Sequence, residues 1–220
     1  MSLSVDLARQ ARDDFLAGNP GASFMPLIAA SIGPYGAMLH DGSEYRGGYG
    51  VSTDVLRAFH AERLQLFDEG GVDVLACETI PSLLEAQVLA ELLADCATPA
   101  WVSFSCKDGE RVSDGAPVEE AATVFSDHPT VLAVGLNCTP PQHAVELVRR
   151  FRDALPDKAV IAYPNSGETW NAEQGNWTGT AKPLDYAHAA GEWVAAGARI
   201  VGGCCRTGPA HIVAIRKAVC

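Results

Sequence analysis

Three segments of this chain repeat one local grammar, and that repetition restricts the fold more than any other feature. They are Gly71-Val-Asp-Val-Leu-Ala-Cys-Glu-Thr-Ile-Pro81, His128-Pro-Thr-Val-Leu-Ala-Val-Gly-Leu-Asn-Cys-Thr-Pro140 and Gly197-Ala-Arg-Ile-Val-Gly-Gly-Cys-Cys-Arg-Thr-Gly-Pro209. Each runs turn, apolar strand, reactive residue, then a proline suited to the first turn of a helix. The pattern on either side agrees. Strands are expected over Met25–Ser31, Val72–Cys77, Ala100–Cys106, Thr130–Asn137, Ala159–Tyr163 and Ala198–Gly203. Helices are expected over Ser4–Leu16, Ser52 or Thr53–Glu69, Leu83–Asp95, Pro117–Ser126, Pro141–Leu155, Pro183–Ala196 and Ala210–Val219, with Met1–Leu3 set aside as a remnant foreign to the fold. The buried stripe of the second helix is expected to be Val55, Leu56, Phe59, Leu64, Leu66 and Phe67.

Near-continuous apolar strands alternating with helices argue a parallel sheet covered by helices. Reactive residues gathered at strand C-termini favour the active face of a (β/α)8 TIM-type barrel, although an open doubly wound sheet places ligands there too. With 220 residues the chain reads as a single domain, residues 1–220. Between the first strand and second helix, residues 32–51 form a loop dense in glycine and tyrosine, and loops that long in compact domains are usually lids or binding loops. Ser82-x-x-Glu85 and Thr139-x-x-Gln142 both have the capping-box pattern.

The chemistry points to the cysteines. Cys204 and Cys205 follow an apolar strand and precede a helix. Neighbouring strand residues point to opposite faces, so this pair shares a ligand only if the backbone leaves the extended form, a freedom that Gly202 and Gly203 supply. Cys138 tops another strand after Val131–Leu136. Three thiols with no fourth strong ligand are the arrangement of a catalytic zinc, which keeps a position open for substrate. Cys77, Cys96, Cys106 and Cys220 read as structural thiols. Glu78 is a carboxylate at the rim of the barrel mouth, and Asn137 either orients backbone or binds substrate beside the metal, or makes an Asx turn before the helix. His211 reads as a helix-surface residue rather than a ligand. Trp170 and Trp177 either pack a cation against their faces or pin their loop.

Composition limits the partners. A net charge of −11 argues against nucleic acid and anionic membranes and is compatible with a cationic small molecule. Seven cysteines, with no leader-like start and no apolar run of membrane-spanning length, suggest a reducing cytoplasm without disulfides.

Gly135-Leu-Asn-Cys138 followed by Gly202-Gly-Cys-Cys-Arg206 resembles the zinc signature of the homocysteine S-methyltransferase family. Gly33-Pro-Tyr-Gly36, Gly42-Ser-Glu-Tyr-Arg46, Cys77-Glu-Thr-Ile-Pro81 and Tyr163-Pro-Asn-Ser-Gly167 resemble that family in the same order, over nearly the whole chain. The resemblance implies zinc on Cys138, Cys204 and Cys205, the homocysteine amino group held by Glu78, and methyl transfer from S-methylmethionine or S-adenosylmethionine, giving methionine. The chain shows neither a cobalamin module nor the long C-terminal arm of betaine-using relatives, which favours the sulfonium-using subgroup. The family's Asp-Gly-Gly first strand and its second strand are not found here. The barrel is therefore expected to be incomplete, with about six βα units, roughly seventy residues short at the front, and open edges prone to self-association. A zinc- or thiol-binding protein without catalysis, and an inactive or partner-completed fragment, are the rival readings.

Overall fold

The computed structural model describes residues 2–171, 176–179 and 182–220. Six parallel strands form one sheet: β1 (Ala29–Ile32), β2 (Val74–Ile80), β3 (Ala100–Phe104), β4 (Val131–Asn137), β5 (Ala159–Tyr163) and, last in the chain, β8 (Ala198–Val201). Their spatial order is their chain order. That arrangement distinguishes a barrel wall from a doubly wound sheet, where the order reverses at a switch point. A hairpin of β6 (Thr169–Asn171) and β7 (Asn176–Thr178), which the pattern did not predict, stands apart from the sheet. Trp170 and Trp177 pair across it, and their side chains lie outside the described residues.

The helices are α1 (Ser2–Gly18), α2 (Tyr35–Leu39), α3 (Thr53–Glu69), α4 (Leu83–Leu93), α5 (Val118–Thr123), α6 (Ala144–Ala154), α7 (Pro183–Ala196) and α8 (Pro209–Val219). Strand alternation sorts the side chains. Leu75, Cys77, Val102, Phe104, Val134, Leu136, Val160 and Ala162 enter one apolar core with Leu64, Leu89, Ala122, Phe151, Trp193 and Ile215 of the helices. The alternate positions Ser31, Glu78, Trp101, Ser103, Gly135, Asn137 and Tyr163 therefore take the sheet face turned away from that core. Close strand approach demands the glycine: a Cβ at Gly135 would lie 1.8 Å from the Ile161 carbonyl oxygen.

Several expectations change. The first strand starts at Ala29 rather than Met25, and Met25 and Leu27 are exposed. Ser2 and Leu3, set aside above, belong to α1. Residues 32–51 contain α2 and a 3-10 turn, Ser43–Tyr45. In α3, Val55 and Leu66 are exposed and His60 joins Leu56, Leu64 and Phe67 in the buried stripe. Strand β2 continues to Ile80, so Glu78 lies within it. Ser82 caps α4 by accepting from the Glu85 amide at 3.2 Å, yet the Glu85 carboxylate does not return the bond. Instead its oxygens accept from the Tyr35 amide at 2.7 Å and the Tyr49 hydroxyl at 2.9 Å, and meet His60 Nε2 at 2.8 Å. Thr139, unlike Ser82, caps nothing: its hydroxyl donates to the Asn137 carbonyl and accepts from the Cys106 amide. Pro141–His143 is a 3-10 turn before α6.

Candidate metal centre

Cys138 follows β4 with φ of 46°, a left-handed backbone that turns its thiol back over the strand ends. Beyond β8 the chain turns through Gly202-Gly-Cys-Cys-Arg206, and the left-handed residue there is Arg206 (φ 66°). Neither Gly202 nor Gly203 has a positive φ, so the turn does not draw on a left-handed glycine. Gly203 is needed for space, since a Cβ there would lie 2.5 Å from Thr207 Oγ1. The Thr207 hydroxyl donates to the Cys204 carbonyl at 2.8 Å and closes the turn.

The result is a compact set of donors. The Sγ atoms of Cys138, Cys204 and Cys205 all lie within 4.8 Å of one another, and Cys138 and Cys205 are 3.6 Å apart. Thiolates about 2.3 Å from one tetrahedral zinc stand about 3.8 Å apart, so this set fits a single ion after little or no movement. Among the described residues no histidine or carboxylate joins the set. His211 is buried rather than on the surface, with Nδ1 accepting from the Gly208 amide at 3.1 Å as the cap of α8.

Charge in the cluster is uneven. Cys205 is lowered to about 3 by hydrogen bonds from Cys138, Cys204 and the Tyr45 hydroxyl. Cys138 is pushed far up by hydrogen bonding to Cys204 and Cys205, then by burial. Cys204 shares a hydrogen bond with Cys138 that lowers it, but its bond to Cys205 and burial outweigh this and raise it to about 11. Three thiols packed so closely cannot all ionise alone, and a divalent cation is the group that allows it.

Around the cluster the loops brace one another. Asn165 donates its amide to the Thr139 carbonyl at 3.0 Å, and its Oδ1 accepts from the Cys205 amide at 3.2 Å, tying the two cysteine loops together. Tyr186, from α7, donates to the carbonyls of Pro164 and Gly202. Asn137 is fully buried: Oδ1 accepts from the Thr79 amide at 2.7 Å, Nδ2 donates to Thr79 Oγ1 at 2.8 Å, and Nδ2 lies 3.9 Å from Cys204 Sγ. Thr79 has φ of 63°, a costly conformation for a β-branched residue, at a register shift between β2 and β3. Asn137 thus stabilises the irregularity that follows Glu78, and it makes no Asx turn to the following helix. Glu78 accepts from Ser31 Oγ at 2.6 Å and from the Tyr163 hydroxyl at 3.0 Å. Sequence reasoning missed the roles of Tyr45, Thr79, Asn165 and Tyr186. Tyr45, Thr79 and Asn165 lie within the motifs named above, but which side chains converge depends on loop paths that no periodicity encodes.

A barrel-type parallel sheet carrying a three-cysteine centre at its strand ends defines a metal-binding α/β enzyme wall. The family profile described as Homocysteine S-methyltransferase matches residues 1–219. Homocysteine S-methyltransferase YbgG of Bacillus subtilis is 47% identical over 215 residues, covering 96% of this chain and 68% of the relative. The homocysteine methyltransferase MmuM of Escherichia coli superposes in its metallated form with a TM-score of 0.85 at 40% identity, covering 98% of this chain and 69% of that one. Its oxidised form gives a TM-score of 0.86. The chain belongs to the homocysteine S-methyltransferase family, a family of enzymes, and spans about two thirds of the length of these relatives.

Proposed function

We propose that the chain holds zinc on Cys138, Cys204 and Cys205 and transfers a methyl group from a sulfonium donor, S-methylmethionine or S-adenosylmethionine, to homocysteine, giving methionine. The observation that carries this reading is the convergence of the three sulfurs within 4.8 Å at the strand ends, with no fourth ligand among the described residues. Zinc bound there supplies a Lewis acid with an open position that favours the thiolate form of a substrate sulfur near neutral pH.

The rest of the work falls to the chain. Glu78, on the same sheet end, accepts the substrate ammonium, while Asn137 keeps the Thr79 turn in the shape that aims Glu78. In the transfer, a lone pair of the homocysteine sulfur forms the new S–CH3 bond as the donor's S–CH3 bond breaks. Its electron pair stays on the departing sulfur, which leaves as a neutral thioether. The leaving group needs no proton, so positioning two sulfurs in line is the main demand on the protein. The net charge of −11 suits a cationic donor. This reading also takes residues 1–220 as one homocysteine-binding domain acting in the cytoplasm, where free thiols persist. No described helix is long and apolar enough to cross a membrane.

The test is to incubate the zinc-loaded chain with homocysteine and each sulfonium donor in turn and to measure methionine. Methionine should form with at least one donor and be lost in Cys205→Ser. Metal binding without methionine from either donor would favour the metal-storing or partner-completed alternatives.

A further inference from the structure

The sheet face turned away from the helices holds a chain of polar groups whose proton directions can be worked out. Tyr163 ends β5 and is 9% exposed. Its hydroxyl meets Trp101 Nε1 at 2.9 Å, Ser103 Oγ at 2.5 Å and Glu78 Oε2 at 3.0 Å. An indole N–H only donates, an ionised carboxylate only accepts, and a phenol has one proton and two lone pairs. One arrangement satisfies all three contacts. Trp101 and Ser103 donate into the two lone pairs, and the Tyr163 proton goes to Glu78. Burial, and then the charge of Glu78, raise the Tyr163 hydroxyl well above its ordinary value, so it keeps that proton. On the other side Ser31 Oγ donates to Glu78 Oε1 at 2.6 Å.

We infer that Tyr163 and Ser31 are positioning residues for Glu78, fixing its carboxylate with one protein donor on each oxygen and leaving a lone pair of each for the ammonium of an α-amino thiol. The inference rests on the reading of Glu78 as the ammonium acceptor. Four strands contribute: β1 through Ser31, β2 through Glu78, β3 through Trp101 and Ser103, and β5 through Tyr163. The carboxylate is therefore fixed by the sheet rather than by a loop, and its angle is set before substrate arrives. Pre-set acceptors select for the amino group, because a thiol lacking it leaves the carboxylate's remaining lone pairs without a partner.

The experiment measures dissociation constants by calorimetry on the zinc-loaded chain for homocysteine and for 4-sulfanylbutanoate, the same thiol acid without the amino group. Tyr163→Phe and Ser31→Ala should each keep full metal content and weaken homocysteine by about tenfold, the usual scale for a lost hydrogen bond to a charged group. Both should leave 4-sulfanylbutanoate unchanged, and adding Tyr163→Phe to Glu78→Gln should bring no further loss. If Glu78→Gln weakens homocysteine while both positioning variants do not, the inference is overturned and the Glu78 reading stands. If Glu78→Gln itself has no effect, that reading fails and takes the inference with it. Equal weakening of both thiols by Tyr163→Phe would make its role merely structural and overturn the inference. Should Tyr163→Phe not fold, Ser31→Ala decides alone by the same ratio.

Discussion

At the residue scale, the proposed chemistry depends on thiols just beyond two strand ends and on a carboxylate inside β2. Glu78→Gln keeps the volume and removes the charge. It should leave metal content intact and weaken homocysteine binding by about 1.5–3 kcal/mol, the cost of a charge-assisted hydrogen bond. Titration calorimetry checks this, and an unchanged affinity would reduce Glu78 to a rim carboxylate. Cys138, Cys204 and Cys205 could be chosen from the sequence because each closes an apolar run of recognisable strand character. Cys77 and Cys106 could be set aside because they lie in or beside the core, and both are buried with thiols pushed up by burial. His211 was misjudged for a physical reason: its helix begins at Pro209, so it falls in the first turn, where a side chain can cap the backbone and turn inward.

At the element scale, the six strands and the long helices were legible because period 2 and period 3.6 leave different marks on an apolar pattern. The segment 32–51 was not, since its order comes from outside itself. Buried Glu85 on α4 receives the Tyr35 amide and the Tyr49 hydroxyl from this segment and contacts His60 of α3. A capping-box pattern thus concealed a clamp: the glutamate turns away from its own helix end to hold a loop. Gly36 packs so tightly beneath the loop that a Cβ would lie 2.6 Å from the Glu44 amide nitrogen. Tyr45 rides on this segment to reach Cys205 and Cys138. Glu85→Gln turns one acceptor into a donor inside the clamp and should cost about 1.5–3 kcal/mol of stability. It should also speed proteolysis within 33–50. A chemical-denaturation midpoint and cleavage pattern matching the parent chain would show that Glu85 is not the clamp.

At the scale of the whole molecule, the sheet is open. Among the described residues β1 and β8 each pair on one side only, and Ile200 on β8 is exposed. Unpaired backbone beside apolar surface favours association between copies, so light scattering on the 220-residue chain should find dimers or larger species, and a monodisperse monomer would contradict this. The three-cysteine cluster does not need closure, because Cys138 follows β4 and Cys204 and Cys205 follow β8, strands that flank β5 in the sheet. The most direct test is metal stoichiometry, measured by mass spectrometry on the purified chain and its single cysteine variants. About one zinc per chain is expected, falling sharply in Cys138→Ser, Cys204→Ser and Cys205→Ser and unchanged in Cys96→Ser. Full zinc occupancy in a variant lacking all three cysteines would contradict the assignment on which the proposed chemistry depends.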